Sequence, residues 1–332
     1  MEKKIRDRYN DKILRQARQR YGIVAADIHL LDGFESFIYA FTKEGQSYIL
    51  RIGHSLRRSP DLIRGEVDWI NYLATGGAGV AQAILSDDGN LVELIDDGQG
   101  GQFLATAFVR APGGSVSEMG GWHDALMINY GRLLGRIHAL SKQYQPTNPA
   151  WQRPQWDDPI NNDIYASLSQ ETSLVAERYQ VVFDHLLALP HDADSYGMIH
   201  QDAHAGNFFV DENGRLTLFD FDDCVYGHFA YDLAMVLFYA ITNRADAEAF
   251  GRHFWPLFWR GYRQENNLDE RWLAEIPHFM KLREIDLYAV ILRDVPPTEI
   301  EGHPWTAQFM HGRRQRIEND IPCLNISLTE DT

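Results

Sequence analysis

Only two cysteines, Cys224 and Cys323, occur in the 332 residues, too few for a disulfide framework or a cysteine-built zinc array. No run approaches 18 apolar residues, and the start, "MEKKIRDRYNDKILRQARQRYG", lacks the apolar core of a secretion signal. A cytoplasmic protein without a membrane partner is therefore the expectation. Positive charge is also scarce: 31 Lys and Arg face 47 Asp and Glu, a net charge of −16. The two signs balance over residues 1–150, so the whole deficit lies in 151–332. Such a field repels nucleic acid and, where it lines a cleft, favours a cationic small molecule.

The length exceeds what one hydrophobic core usually serves, and 45% apolar residues can build two lobes. Apolar spacing predicts a basic helix over 3–20, then short strands in "IHLLDGFESFIYAFTKEGQSYILRI", broken at "DGFES" and "KEGQ". A helix begins near Ser59-Pro60 and stops at Gly76-Gly77, followed by strands in "VAQAILS", "LVELID" and "QFLATAFV". Connections this short disfavour parallel crossovers and predict an antiparallel sheet with one inserted helix. After Arg110, "APGGSV" reads as a hinge. Helices are expected over 122–142, 170–189, 229–241, 245–263 and 270–291, with two short strands, "NFFVD" and "LTLFDFD", joined at Asn213-Gly214. "YQPTNPAWQRPQWDDP" reads as a surface loop or substrate flap. The expectation is an α+β chain with a sheet lobe at 1–108 and a mainly helical lobe at 109–332.

Chemistry concentrates in "HQDAHAGN" at 200–207. His200, Asp202 and His204 alternate as hydrolase metal ligands can, but no further ligands stand at zinc-site spacing and Gly206 interrupts a strand. Asp202 is followed after five residues by Asn207, and after thirteen more by Asp220 in "LFDFDD". That is the spacing of a kinase catalytic loop, in which one aspartate accepts the substrate hydroxyl proton while an asparagine and a second aspartate hold Mg²⁺. The intervening turn "DENG" would fold the two metal ligands together, and hard oxygen donors suit Mg²⁺.

The run "HQDAHAGNFFV…GRLTLFDFDDCVYGHFAYDLAMVL" resembles the aminoglycoside phosphotransferase and choline kinase superfamily, with its bilobal protein-kinase-like fold. Its "DFDD…G…YDLA" portion resembles the branch of type II homoserine kinases and bacterial stress-response Ser/Thr kinases. The resemblance implies that Asp202 is the catalytic base, that Asn207 and Asp220 bind Mg²⁺, and that ATP lies between the lobes. It also places a basic residue on the third strand, Arg51 in "YILRI", and an acidic partner on the next helix, Glu66 in "LIRGEV". Arginine stands where many kinases carry lysine. The G-x-G-x-x-G loop is absent, and "LLDGFESFIY" takes its place with Gly33 and the hydroxyl of Ser36.

The expected activity is transfer of the ATP γ-phosphoryl group to a hydroxyl of a small, amino-bearing metabolite. A bacterial serine/threonine protein kinase is the alternative acceptor reading, although no activation segment ending in "APE" is present. An inert nucleotide-binding or partner-binding module is the third, against which Asp202, Asn207 and Asp220 together argue. His200 is expected to orient the loop, and His204 either to pack or to touch substrate. Asp222 or Asp223 assists the metal or the substrate, or lies in a solvated turn. Asp232 caps its helix or orients the loop. Tyr231 and Tyr239 read as core. Trp151, Trp156, Trp255 and Trp259 either cover a cationic substrate or fill the helical lobe.

Overall fold

The computed structural model describes residues 1–31, 33, 35–158 and 173–329. Alternation of side chains builds the first lobe. Strands β1 (Ile28–Leu31), β2 (Phe37–Lys43) and β3 (Gln46–His54) follow one another antiparallel. Lys43 pairs with Gln46, so Glu44 and Gly45 form a two-residue turn, both with positive φ as a twisted hairpin requires. Helix α1 (Asp11–Arg20) precedes the sheet and α2 (Pro60–Thr75) follows β3. The short β4 (Ala83–Ile84), β5 (Glu93–Asp96) and long β6 (Gln102–Val109) complete an antiparallel sheet, with β6 between β3 and β4 and also pairing β5.

Alternate residues of that sheet, Tyr39 and Phe41, Leu50 and Ile52, Phe103 and Ala105, pack with Ile13 and Ala17 of α1 in one core. The residues between them, Ile38, Ile49, Arg51 and Phe108, line the interlobe cleft. The helix expected over 3–20 is divided. Lys3–Arg6 forms a single turn, and Asn10 then caps α1 by accepting from the Lys12 N–H. Ser59 caps α2 in the same manner, with Pro60 at its first position, as the sequence predicts.

The second lobe rests on α3 (Asp124–Ser141), α4 (Leu174–Leu187), α5 (Phe229–Ile241), α6 (Ala247–Tyr262) and α7 (Ile276–Asp294). The start of the helix expected over 170–189 falls outside the described residues. Helices α3 and α6 meet backbone to backbone. A Cβ on Gly131 would stand 1.9 Å from the Phe258 carbonyl oxygen, and one on Gly261 2.0 Å from that of Ile128. Only glycine allows that approach. Between the helices lie the hairpin β8 (Phe208–Val210) with β9 (Leu216–Leu218) and the antiparallel pair β7 (Tyr196–Ile199) with β10 (Val225–His228). Sequence pattern predicts the hairpin but not the second pair, whose four-residue strands find each other only across the 200–224 segment. No helix among the described residues is long and apolar enough to cross a membrane.

The segment read as a surface loop or substrate flap is a surface loop braced to the interior by a few buried side chains. Arg153 is buried, its Nε donating to the Cys224 carbonyl at 2.7 Å, Nη1 to Leu62 at 2.9 Å and Nη2 to Asp222 at 2.7 Å. Asp68 of α2 accepts from the Tyr144 hydroxyl at 2.7 Å and from Thr147 Oγ1 at 2.6 Å. A proline-rich, irregular surface loop is thus pinned at Tyr144, Arg153 and Trp156, which are buried, while Gln145, Thr147–Ala150 and Gln152 stay exposed. Trp156, Trp255 and Trp259 are buried, which favours the second of their two readings, packing within the helical lobe.

Two stability predictions follow from this packing. Arg153→Met strips a guanidinium from three internal carbonyls and should lower unfolding free energy by roughly 2–4 kcal/mol, measured by urea denaturation. His228 is fully buried among Tyr196, Trp156, Trp272 and Phe279. Burial, together with neighbouring His191, pushes its pKa down from 6.5 to about 4. As pH falls below 6.5 the unfolded chain takes up a proton that the native imidazole refuses, so stability should drop by up to ~1.4 kcal/mol per pH unit until about pH 4. His228→Phe should remove this slope in denaturation curves at pH 7 and pH 5; parallel behaviour of the two proteins would count against it.

Candidate active site

The 200–207 loop leaves β7 through a turn that Gln201 makes at φ 68°. A non-glycine residue holds that conformation where surrounding groups impose it. Here the carboxylate of Asp232, in the first turn of α5, accepts the His200 N–H at 2.9 Å and the Gln201 N–H at 2.7 Å. His138 Nε2 lies 3.2 Å from the same carboxylate. The His200 ring reaches the Phe219 carbonyl at 3.1 Å, and the Tyr130 hydroxyl donates to that of Ala203. His200 and Asp232 are therefore supports of the loop.

Strand register brings the distant residues together. Phe208 pairs with Leu218, so the next position outward sets Asn207 opposite Phe219, whose N–H donates to the Asn207 carbonyl at 2.8 Å. Asp220 follows at once, with φ 64°. Asn207 Nδ2 donates to the Asp202 carbonyl at 2.9 Å and to its Oδ2 at 3.0 Å, which leaves the amide Oδ1 available to a cation. Among the described residues, no group donates a hydrogen bond to the Asp220 side chain. Enclosure by the cleft walls raises that carboxyl to about 6; Arg51 opposes the rise and Asp222 adds to it. One free amide oxygen beside an unsatisfied carboxylate is a donor set that a hard divalent cation fits.

Asp202 differs. Its Oδ1 accepts from Arg283 Nη2 at 2.9 Å, and His204 Nε2 stands 3.4 Å from Oδ2. Enclosure works against its charge, but His204 and Arg283 outweigh that and hold the carboxyl well below the usual range. Arg283 is fixed in turn by the Tyr239 hydroxyl, 2.6 Å from Nη2 and 3.1 Å from Nε, while the His204 ring packs against Tyr239 at 4.5 Å. Tyr239 is half-buried beside Asp202 rather than in the core.

On the opposite wall, Arg51 of β3 and Glu66 of α2 form a buried bidentate pair at 2.8 and 2.7 Å. Burial disfavours the guanidinium charge, yet Glu66, and beyond it Asp222 and Asp220, more than compensate and raise its pKa. Asp222 is engaged by Arg57, and lies 3.6 Å from Arg58 and 3.9 Å from Arg51. Burial would raise its carboxyl, but the three arginines hold it well below the usual range. Asp223 pairs with Arg58 at 2.6 Å. Ser36 borders the same niche, along with Gly53 and Arg57, although Asp32 and Phe34 in its turn lie outside the described residues. Between the lobes is a cavity of about 350 Å³ with apolar walls that include Leu31, Ile49, Ile70 and Phe219; its polar members include Arg51, Glu66 and Asp220. An aromatic base fits such walls, and a polyphosphate fits the charged border.

Of the six residues singled out in the sequence, Arg51, Glu66 and Asp220 line this cavity, Ser36 lines the adjoining niche that shares Arg51, and Asn207, bonded to Asp202, pairs through its backbone with Phe219 next to Asp220. Arg57, Arg58, Arg283 and Tyr239 were missed. The pair "RR" after β3 carried a visible signal, two cations next to Arg51 in the chain; Arg283 carried none, because its helix reads the same whichever way that charge faces.

Residues 28–276 match the phosphotransferase enzyme family. The chain is 35% identical over 318 residues to amicoumacin kinase of Bacillus subtilis (strain 168), covering 95% of this chain and 94% of that protein. It superposes on a solved amicoumacin kinase in complex with AMP-PNP, Ca²⁺ and Ami with a TM-score of 0.91 and 33% identity, over the whole of both chains. A microcompartment-associated aminopropanol kinase shares the fold at a TM-score of 0.75 and 21% identity, over 96% of this chain and 100% of that one. A match that runs from β1 into the start of α7, and so takes in both walls of the cleft, leaves one assignment: the chain belongs to the phosphotransferase enzyme family.

Proposed function

We propose that the protein phosphorylates a hydroxyl of a small, amine-bearing metabolite, and that amicoumacin is the first acceptor to test. The protein is an ATP-dependent phosphotransferase of a small hydroxyl-bearing molecule, as its family and its amicoumacin kinase relatives indicate. The observation that carries the assignment of roles is the bond from Asn207 Nδ2 to Asp202, which makes the two a single rigid unit.

In this reading the apolar cavity takes the adenine, and Arg51, aimed by Glu66, meets the phosphates. Ser36 closes over them, with Arg57 nearby. Asn207 Oδ1 and Asp220 hold Mg²⁺, which when bound neutralises charge on the phosphates. Asp202 aligns the acceptor hydroxyl and takes its proton late, as the bond from the hydroxyl oxygen to the γ-phosphorus forms and the bond from that phosphorus to the bridging oxygen of the departing ADP breaks. Its low proton affinity suits alignment more than early abstraction, and a loose transition state demands little more. Arg283 and Tyr239 flank the acceptor side of Asp202. Asp286 lies one turn beyond Arg283 on the half-buried face of α7, and its charge is felt by Tyr231 and Tyr239. It is the carboxylate we assign to the acceptor's amine, in keeping with the acidity of the second lobe.

The likeness of "DFDD…G…YDLA" to homoserine and stress-response kinases keeps a protein hydroxyl as the second acceptor reading. Enclosure of Asp202 by Arg283, Tyr239 and His204 favours the small one. We place the lobe boundary after 108, before "APGGSV", and the site of action in the cytoplasm, where ATP is supplied.

Asp202→Ala should reduce phosphoryl transfer by at least ~100-fold while Mg·ATP binding, read by calorimetry, stays near wild type. Asp220→Ala should instead weaken Mg²⁺-dependent nucleotide binding by roughly tenfold or more. Arg283→Ala should cost roughly 10- to 100-fold in kcat, the worth of a charge-assisted hydrogen bond, with the KM for ATP little changed and partial recovery in Arg283→Lys. Labelled phosphate appearing on casein but not on amicoumacin or a panel of amino alcohols would overturn the small-acceptor reading.

A further inference from the structure

We propose that His185, Glu275 and His278 form a transition-metal site, selective for Zn²⁺ over Mg²⁺ and Ca²⁺, that clamps the end of α4 to the start of α7. It lies outside the phosphoryl-transfer site and does not depend on that reading. One donor atom from each residue lies within 4.8 Å of the other two. His185 Nε2 is 2.7 Å from Glu275 Oε2, and the two imidazole centroids are 4.2 Å apart with planes inclined by 41°. Two nitrogen donors and one carboxylate form a set that Zn²⁺ accepts and hard cations, which take oxygen, do not favour.

The supporting geometry is built into the helices. Glu275 and His278 stand three apart at the first turn of α7, where such a spacing puts both side chains on one face. The His278 N–H donates to the Glu275 carbonyl at 3.0 Å, fixing that turn. His185 projects from the last turn of α4, which packs on α7, so all three donors sit on or beside rigid elements.

A simple ion pair between His185 and Glu275 explains only part of the cluster. It gives no role to the second imidazole, whose centroid stands 4.2 Å from the first. The neutral ring is the ligating form. One cation satisfies both imidazoles and the carboxylate together, and the partial exposure of His185 and Glu275 leaves room for water to complete a tetrahedral shell.

The test uses the full chain, stripped with EDTA and held in excess Mg²⁺, titrated with Zn²⁺ by calorimetry and with Co²⁺ by visible spectroscopy. Wild type should bind one equivalent of Zn²⁺ at micromolar or lower Kd, gain several degrees in Tm, and show intense Co²⁺ bands of four- or five-coordination. His185→Ala and His278→Gln should each weaken Zn²⁺ binding by at least ~10-fold and abolish those bands, with Mg·ATP turnover in zinc-free buffer at the wild-type level. His185→Asn, at an exposed position, carries the test if His278→Gln fails to fold. Absence of saturable binding in wild type overturns the proposal, as does unchanged binding in His185→Ala.

Discussion

The buried carboxylate of Asp232 is the constraint on which the site depends. A carboxylate without solvent is costly unless its oxygens are satisfied, and here they are satisfied by the N–H groups of His200 and Gln201 and by His138. Those bonds commit Gln201 to a left-handed turn, and the turn sets Asp202 against Asn207 and Arg283. Helix α5, apolar on nearly every side, anchors the whole arrangement in the core of the second lobe. The loop is irregular but not free, because its backbone polar groups are accounted for by partners on α3, α5 and the end of β9.

A second theme is that an acidic protein builds its site from arginines. Arg51, Arg57 and Arg58 surround Asp222, Arg283 holds Asp202, and Arg153 braces the carbonyls of Asp222 and Cys224. Planar guanidinium groups suit this task because each presents several fixed donors. The result is a division of labour between carboxylates: Asp202 and Asp222 are held strongly ionised, while Asp220, without a donor of its own among the described residues, stays poorly stabilised as an anion. An anion in that condition is suited to a cation ligand.

Much of the fold was legible because its determinants are local. Helix α2 could be bounded by Ser59-Pro60 and Gly76, and the β2–β3 hairpin by Glu44-Gly45, from turn and cap chemistry alone. Asp202, Asn207 and Asp220 could be linked because the hairpin between them is short enough to be read as one unit. The division of the first helix at Asn10 was missed, since the apolar spacing continues across a residue whose side chain prefers to cap. The 144–158 segment was legible as a surface loop from its prolines and irregularity, but not the inward turn of Tyr144, Arg153 and Trp156, which depends on partners distant in the chain.

The amino-acid order by itself determined the spacing that brings Asn207 near Asp220 and so singled out the candidate site residues, because cap, turn and strand preferences act over a few positions. Only the tertiary structure decided which charges face inward. Arg283 reaches Asp202 from α7, Arg153 reaches three carbonyls from two other segments, and β7 meets β10 across the intervening loop. Pairings of that kind depend on how packed elements exclude water from particular side chains. No local preference encodes that, since the same arginine on the same helix serves equally well facing solvent.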